Sequence, residues 1–184
     1  MKVEVIRKET VAVSRWSGGE TRAYAIYPKD AVYANRDFDF RISSATIEDV
    51  PSQFTNFEGY HRYLAMLDNH VQLILNGANQ QYEKHQLFVF QSTDLITSYT
   101  QGTDFNLMLA NHIVDEVVEV MNQSFQTNQP YILLFALGSG VVGVNNQPIT
   151  LEPWDCILIT NEERESVAVT LNQPTIVGYW SISK

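Results

Sequence analysis

Two arginines and two side-chain acceptors stand in segments whose alternation would put them on one face of a sheet. In Phe40-Arg41-Ile42-Ser43, strand periodicity sets Arg41 and Ser43 against Phe40 and Ile42. In Asp104-Phe105-Asn106-Leu107-Met108-Leu109 it sets Asp104, Asn106 and Met108 against Phe105, Leu107 and Leu109. Arg62 likewise shares a face with Leu64 and Met66. A guanidinium pairs bidentately with a carboxylate, so two of them suit a small organic anion. Asp104 can orient an arginine or accept an amide N–H, and Asn106 can both donate and accept. Alternation leaves two readings open. These residues are the wet outer face of an ordinary antiparallel sheet, or they point into a barrel, where charges must be paired or must bind something charged.

Other candidate chemistry fails on its context. Gly138-Ser139-Gly140-Val141-Val142-Gly143 is a literal GxGxxG after an apolar strand. A dinucleotide site needs a helix next, to bring its N-terminus to the pyrophosphate. Here the glycines run into Val141, Val142 and Val144 and then Asn145-Asn146, which predicts a strand ending in a turn. The glycines then serve a hairpin or a close strand approach. His61, His70, His85 and His112 form no HxH or HExxH pair, so surface positions and no metal are expected. Cys156 lies among Ile157, Leu158 and Ile159, the setting of a buried thiol rather than a nucleophile. No GxSxG elbow occurs, and Glu162-Glu163-Arg164-Glu165 reads as a solvated loop.

The elements that would position these residues are short strands. Apolar runs at Tyr24–Tyr27, Phe38–Ile42, Tyr63–Leu67, Val71–Leu75, Leu87–Phe90, Phe105–Leu109, Tyr131–Leu137, Val141–Val144, Cys156–Thr160, Val167–Leu171 and Ile176–Trp180 are separated by turn residues. That pattern predicts an all-β chain of antiparallel strands. Val114, Val117, Val118 and Met121 recur at helical spacing, but the valine content favours a strand over Ile113–Met121. The polar stretch Asn122–Pro130 is the nearest thing to a boundary, and the strand–turn–strand pattern before it reappears after it.

With 184 residues, 45% apolar and 18% charged, the chain has enough material for a core without staples. Its 12 Lys and Arg against 21 Asp and Glu give a net charge of −9. That balance excludes nucleic acid as the main partner, because phosphate binding needs clustered cations. A cationic membrane-surface helix is excluded on the same ground. No apolar run approaches the roughly 20 residues of a membrane span, and the N-terminus lacks a signal-peptide core. The lone Cys156 forms no intrachain disulfide. A reducing, cytoplasmic setting is the expectation.

Taken in order, Trp16-Ser17-Gly18-Gly19-Glu20-Thr21, Phe38–Ala45, Phe54, Gly59–Leu67 and Gly102–Met108 resemble the HutD/Ves family. WxGG, RxSxA, GxxR and DFNxM in that sequence are specific as a set, although each is weak alone. The likeness is best over about the first 110 residues. It implies a bicupin, two antiparallel jelly-roll-like β-barrel units in one chain, approximately residues 1–121 and 122–184. Members of this family resemble cupins that lack the usual metal-binding histidines, so no cofactor is expected. By position in the motifs, the resemblance assigns Trp16, Thr21, Arg41, Ser43, Arg62, Asp104, Asn106 and Met108 to lining or supporting a pocket. The Ser17–Glu20 segment is shorter than in many members.

Some members accompany histidine-degradation genes and are proposed to bind a formylated or formiminated glutamate and govern the pathway. The resemblance therefore implies a non-catalytic, regulatory protein whose partner is a small anionic metabolite held in the N-terminal unit. A metal-independent isomerase or hydrolase, with Asp104 as base and Arg62 facing an anionic transition state, is the alternative. A structural or oligomeric module, with sheets paired between the subunits of a homodimer, is the third reading.

Overall fold

The computed structural model describes residues 1–183. It is all-β, with nineteen strands and two single-turn 3-10 helices, Lys8–Thr10 and Tyr33–Asn35, among the described residues. The strand expected over Ile113–Met121 is present, with a bulge between Val114 and Val117. No helix among the described residues is long and apolar enough to cross a membrane. Backbone contacts divide the chain into two compact units.

One unit is Val11–His112. Its larger sheet has six strands in the order Val13–Trp16, Gly19–Tyr27, Phe40–Ile47, Gly102–Ala110, Tyr60–Met66, Phe88–Gln91. Its smaller sheet runs Ser52–Gln53, Ile96–Ser98, Val71–Leu75, Ala78–Tyr82. Apolar side chains from the two sheets meet in one cluster, with Leu64, Met66, Phe88 and Phe90 on one side and Val71, Leu73 and Ile96 on the other. Asn76 and Gly77, both at positive φ, turn Val71–Leu75 into Ala78–Tyr82. Asn-Gly favours this type of two-residue hairpin, whose twist matches that of the strands it joins.

The other unit joins Met1–Thr10 to the chain from Ile113 onward. Its five-stranded sheet runs Lys2–Ile6, Cys156–Thr160, Tyr131–Ala136, Thr175–Ile182, Ile113–Met121. Its four-stranded sheet runs Phe125–Thr127, Val167–Leu171, Gly140–Val144, Gln147–Leu151. Asn145 and Asn146, again both at positive φ, make the corresponding hairpin. Between these sheets the inward residues are apolar, among them Ile132, Leu134, Val142, Ile157, Val169 and Val177.

The two units share one strand order. Eight consecutive strands from Phe40–Ile47 to Gly102–Ala110 form sheets whose members, counted along the chain, lie in the order first–eighth–third–sixth and second–seventh–fourth–fifth. The eight strands from Ile113–Met121 to Thr175–Ile182 take the same places. The additions are edge strands: Val13–Trp16 and Gly19–Tyr27 in one unit, Lys2–Ile6 in the other.

Two expectations change. The division falls between His112 and Ile113, not at 121/122, because Ile113–Met121 finds its backbone partners on Thr175–Ile182. Residues 1–10 belong to the later unit through the ladder from Lys2–Thr160 to Ile6–Cys156. Second, no sheet among the described residues closes into a barrel; each unit is a pair of open, facing sheets. Closure needs an unbroken hydrogen-bond ladder, and strands as short as Ser52–Gln53 leave the smaller sheet separate from the larger.

The GxGxxG segment carries the chain from Tyr131–Ala136 in one sheet to Gly140–Val144 in the other, with no helix after it. A Cβ on Gly143 would stand 2.2 Å from Thr170 Oγ1, so the glycine serves close strand approach.

Candidate functional site

Antiparallel register sorts the inward face of the Val11–His112 unit into rows. Arg41, Met108 and Arg62 are cross-strand partners in one row. Ser43, Asn106 and Leu64 make the next, and Ala45, Asp104 and Met66 the one after. Thr21 joins this last row through Ala45. Directly paired residues project to the same side of a sheet, and rows are separated by two residues, roughly 7 Å. Facing these rows is a cavity of about 300 Å³. The smaller sheet and the segment that follows its first strand contribute Ser52, Gln53, Phe54 and Thr55 to its wall.

Both guanidiniums are buried, Arg41 with 8% and Arg62 with 4% of its surface exposed. Arg41 Nη1 donates to Ser43 Oγ at 2.8 Å. Arg62 Nε donates to Ser92 Oγ at 2.8 Å and its Nη2 to the Thr55 carbonyl at 2.6 Å. Aromatic rings cover what these bonds leave. Tyr33 lies 4.3 Å from the Arg41 guanidinium carbon and stacks at 4.9 Å on Phe57, which stands 5.4 Å from that of Arg62. Burial lowers the pKa of both arginines from the usual value, with Tyr33 and Asp104 acting in the opposite direction.

A guanidinium has five N–H donors. Arg41 uses one and Arg62 two, all on neutral oxygens. Among the described residues, no carboxylate lies within ion-pair distance of either arginine.

Asp104 is 5% exposed, and its Oδ1 accepts one hydrogen bond, from the Ala45 N–H at 3.2 Å. Burial pushes its carboxyl pKa up to about 7, against the downward pull of that bond, Arg62 and Arg41, while Asp68 adds to the rise. Asn106 Oδ1 is buried beside it with no hydrogen-bond partner. The cavity thus has donors in its arginine row and acceptors in the rows of Asn106 and Asp104.

Of the residues expected at the site, Trp16, Thr21, Arg41, Ser43, Arg62, Asp104 and Asn106 line the cavity. Trp16 is on the exposed edge strand, its indole folded over Gly18 so closely that a Cβ there would meet the ring at 2.4 Å. Met108 does not line the cavity. It shares the arginine row but is fully buried, packed with Phe38, Phe57, Tyr60 and Ala110 as apolar floor. The histidines stay apart from the cavity, and His112 instead contacts Asp39 Oδ1 at 2.8 Å. Among the described residues no three His, Cys, Asp or Glu side chains converge as a metal site. Cys156 is fully buried in the other unit, where burial raises its thiol pKa.

Sequence reading passed over Tyr33, Thr55, Phe57 and Ser92. None belongs to an alternating strand: Tyr33 comes from a single 3-10 turn and the others from connecting segments. Only the density of Phe54, Thr55 and Phe57 ahead of Gly59 marks the region. In the second unit the strand equivalent to Tyr60–Met66, matched from its last residue, presents Ile132, Leu134 and Ala136 where Arg62, Leu64 and Met66 stand here. Apolar side chains occupy that interior.

The sequence matches one protein family, HutD, over residues 8–177. No curated protein sequence matches. Among solved structures, HutD from Pseudomonas fluorescens SBW25, determined in a formate condition, superposes with a TM-score of 0.84 at 19% identity, covering 100% of both chains. The conserved protein of unknown function PA5104 from Pseudomonas aeruginosa PAO1 gives 0.83 at 21% identity, again over 100% of both chains. A cupin 2 conserved barrel domain protein from Leptotrichia buccalis gives 0.60 at 10% identity, over 100% of this chain and 98% of that one. These likenesses establish a cupin-like all-β fold.

Proposed function

The chain belongs to the HutD family, and from that premise we propose that it is a non-catalytic, regulatory protein that binds a small anionic metabolite in the cavity of its Val11–His112 unit. A formylated or formiminated glutamate is the ligand type we propose, and the matching strand orders support treating the chain as two cupin units.

One observation carries this reading. Arg41 and Arg62 are buried in one register row on either side of Met108, keep N–H donors unused, line the cavity, and have no carboxylate at ion-pair distance. Burying a cation without a counter-charge is costly, and a carboxylate would supply both the charge and the acceptors. The volume, about 300 Å³, suits a metabolite rather than a polymer.

Thermal-shift measurements against a panel of glutamate derivatives test the reading. The wild-type protein is expected to gain stability with carboxylate ligands, and Arg62→Ala to lose that gain. No shift with any carboxylate, or an equal shift in Arg62→Ala, overturns it.

Asp104 favours a second reading, a metal-independent isomerase or hydrolase. A carboxyl with its pKa near 7 suits a general base, and Arg62 would face an anionic transition state. Turnover of a bound derivative that disappears in Asp104→Asn would replace the binding role with this one.

A further inference from the structure

We propose that Asp104 sets the charge of the anion the cavity accepts: a dianion enters with uptake of one proton by Asp104, and a monoanion enters without it. This inference rests on the anion-binding reading above and concerns the same site.

Among the side chains lining the cavity, Arg41, Arg62 and Asp104 are the ones that carry charge. With Asp104 ionised, the lining carries two positive charges and one negative. With Asp104 protonated it carries two positive charges alone. Buried charge that is left uncompensated is expensive, so the first state is neutralised by a monoanion and the second by a dianion.

Geometry makes Asp104 the group able to change state. The carboxylate has one hydrogen bond, from the Ala45 N–H, and no cation at ion-pair distance. The charged groups around it are Arg41 on the Phe40–Ile47 strand, Arg62 on the Tyr60–Met66 strand and Asp68 in the turn beyond it. Asp68 is turned to the backbone, where its Oδ1 accepts from the Thr103 N–H at 2.8 Å. From the Gly19–Tyr27 strand the neighbouring residue in the row is the neutral Thr21, and the Glu20 carboxylate pairs outward with Arg15 at 2.7 Å. The smaller sheet offers the neutral Ser52 and Gln53. A second carboxylate arriving near the arginines draws their field away from Asp104, and the proton it then takes comes from solvent. A pKa already near 7 puts that uptake within reach at neutral pH.

Isothermal titration of the full chain with glutarate and with its monoamide, glutaramate, tests this from about pH 6 to about pH 9. Glutarate affinity should fall about tenfold per pH unit above neutrality. Its binding heat should vary with the buffer's ionisation enthalpy, to the extent of about one proton taken up. Above neutrality glutaramate affinity should stay flat, and Asp104→Asn should flatten the glutarate profile while glutarate still binds. Flat glutarate binding to the wild type, with no proton uptake, overturns the proposal and leaves the anion-binding reading intact. If neither compound binds, the anion-binding reading falls and takes this proposal with it. The buffer measurement uses wild-type protein alone, so it decides the matter even if Asp104→Asn does not fold.

Discussion

Arg41 and Arg62 are held apart by a shared partner: each is the cross-strand neighbour of Met108, from opposite sides. Two strand spacings separate their backbones by roughly 10 Å, and the buried thioether between them gives neither guanidinium a counter-charge. Tyr33 and Phe57 span the same gap from the other side. The result is two cations fixed in one row and solvated by rings and neutral oxygens.

Arg62 should not be replaceable by lysine. Its Nε and Nη2 reach Ser92 Oγ and the Thr55 carbonyl in different directions, which a single ammonium cannot reproduce. Arg62→Lys is expected to weaken carboxylate binding at least about tenfold, the worth of one charge-assisted bond. Calorimetric titration with glutarate checks this, and wild-type affinity in the variant would mean that charge alone suffices.

Tyr33 should contribute through its ring rather than its hydroxyl. Tyr33→Phe keeps the face that lies 4.3 Å from Arg41, whereas Tyr33→Ala exposes the guanidinium to water. A cation–π contact of about 1 kcal/mol corresponds to about a fivefold change in Kd. Ligand titrations on the two variants should differ by that amount. Equal losses in both would assign the effect to the hydroxyl.

Stability should fall as pH rises from about 4 to about 7 on account of Asp104. Its folded pKa is raised, chiefly by burial, to about 7, so in this window the native state holds a proton that the unfolded chain has lost. Stability then decreases with pH and levels off above about 7. The total is on the order of 4 kcal/mol at most. Asp104→Asn removes the titration, so the difference in unfolding free energy between variant and wild type should grow in the variant's favour over that range. A difference independent of pH would refute it.

At the rim, Gly19→Ala should be severe. Gly19 has φ +152°, and an added Cβ would stand 2.1 Å from the Thr46 carbonyl oxygen, a backbone atom that cannot swing aside. The edge hairpin carrying Trp16 and Thr21 turns at this point. A loss of more than about 1 kcal/mol is expected from chemical denaturation, together with a change in Trp fluorescence. An unchanged midpoint would show that the hairpin relaxes freely.

Much of the strand pattern was legible because β-structure writes itself in period two. The runs at Val71–Leu75, Cys156–Thr160 and Val167–Leu171 coincide with strands. The pattern repeated on both sides of Asn122–Pro130 corresponds to matching strands in the two units. Strands with little apolar content left no such mark: Val13–Trp16 is exposed throughout, and Ala78–Tyr82 nearly so. The boundary was misread because Asn122–Pro130, polar as a linker would be, contains the strand Phe125–Thr127.

At the site, alternation correctly grouped Arg41 with Ser43 and Asp104 with Asn106 and Met108, since neighbours two apart on a strand share a face. Residue types alone determined that this face would hold cations and acceptors together. Which face borders the cavity was decided by tertiary structure, because Phe105 and Leu107 on one face are as buried as Asp104 and Met108 on the other, and only the latter face meets the smaller sheet. The same packing separated Met108 from its polar neighbours. At its end of the face Phe38, Phe57 and Tyr60 close in and exclude solvent, while the rows of Asn106 and Asp104 stay open to the cavity. Tyr33, Thr55, Phe57 and Ser92 arrive from turns and connections, whose positions depend on where the strands carry them and follow no period a sequence can show.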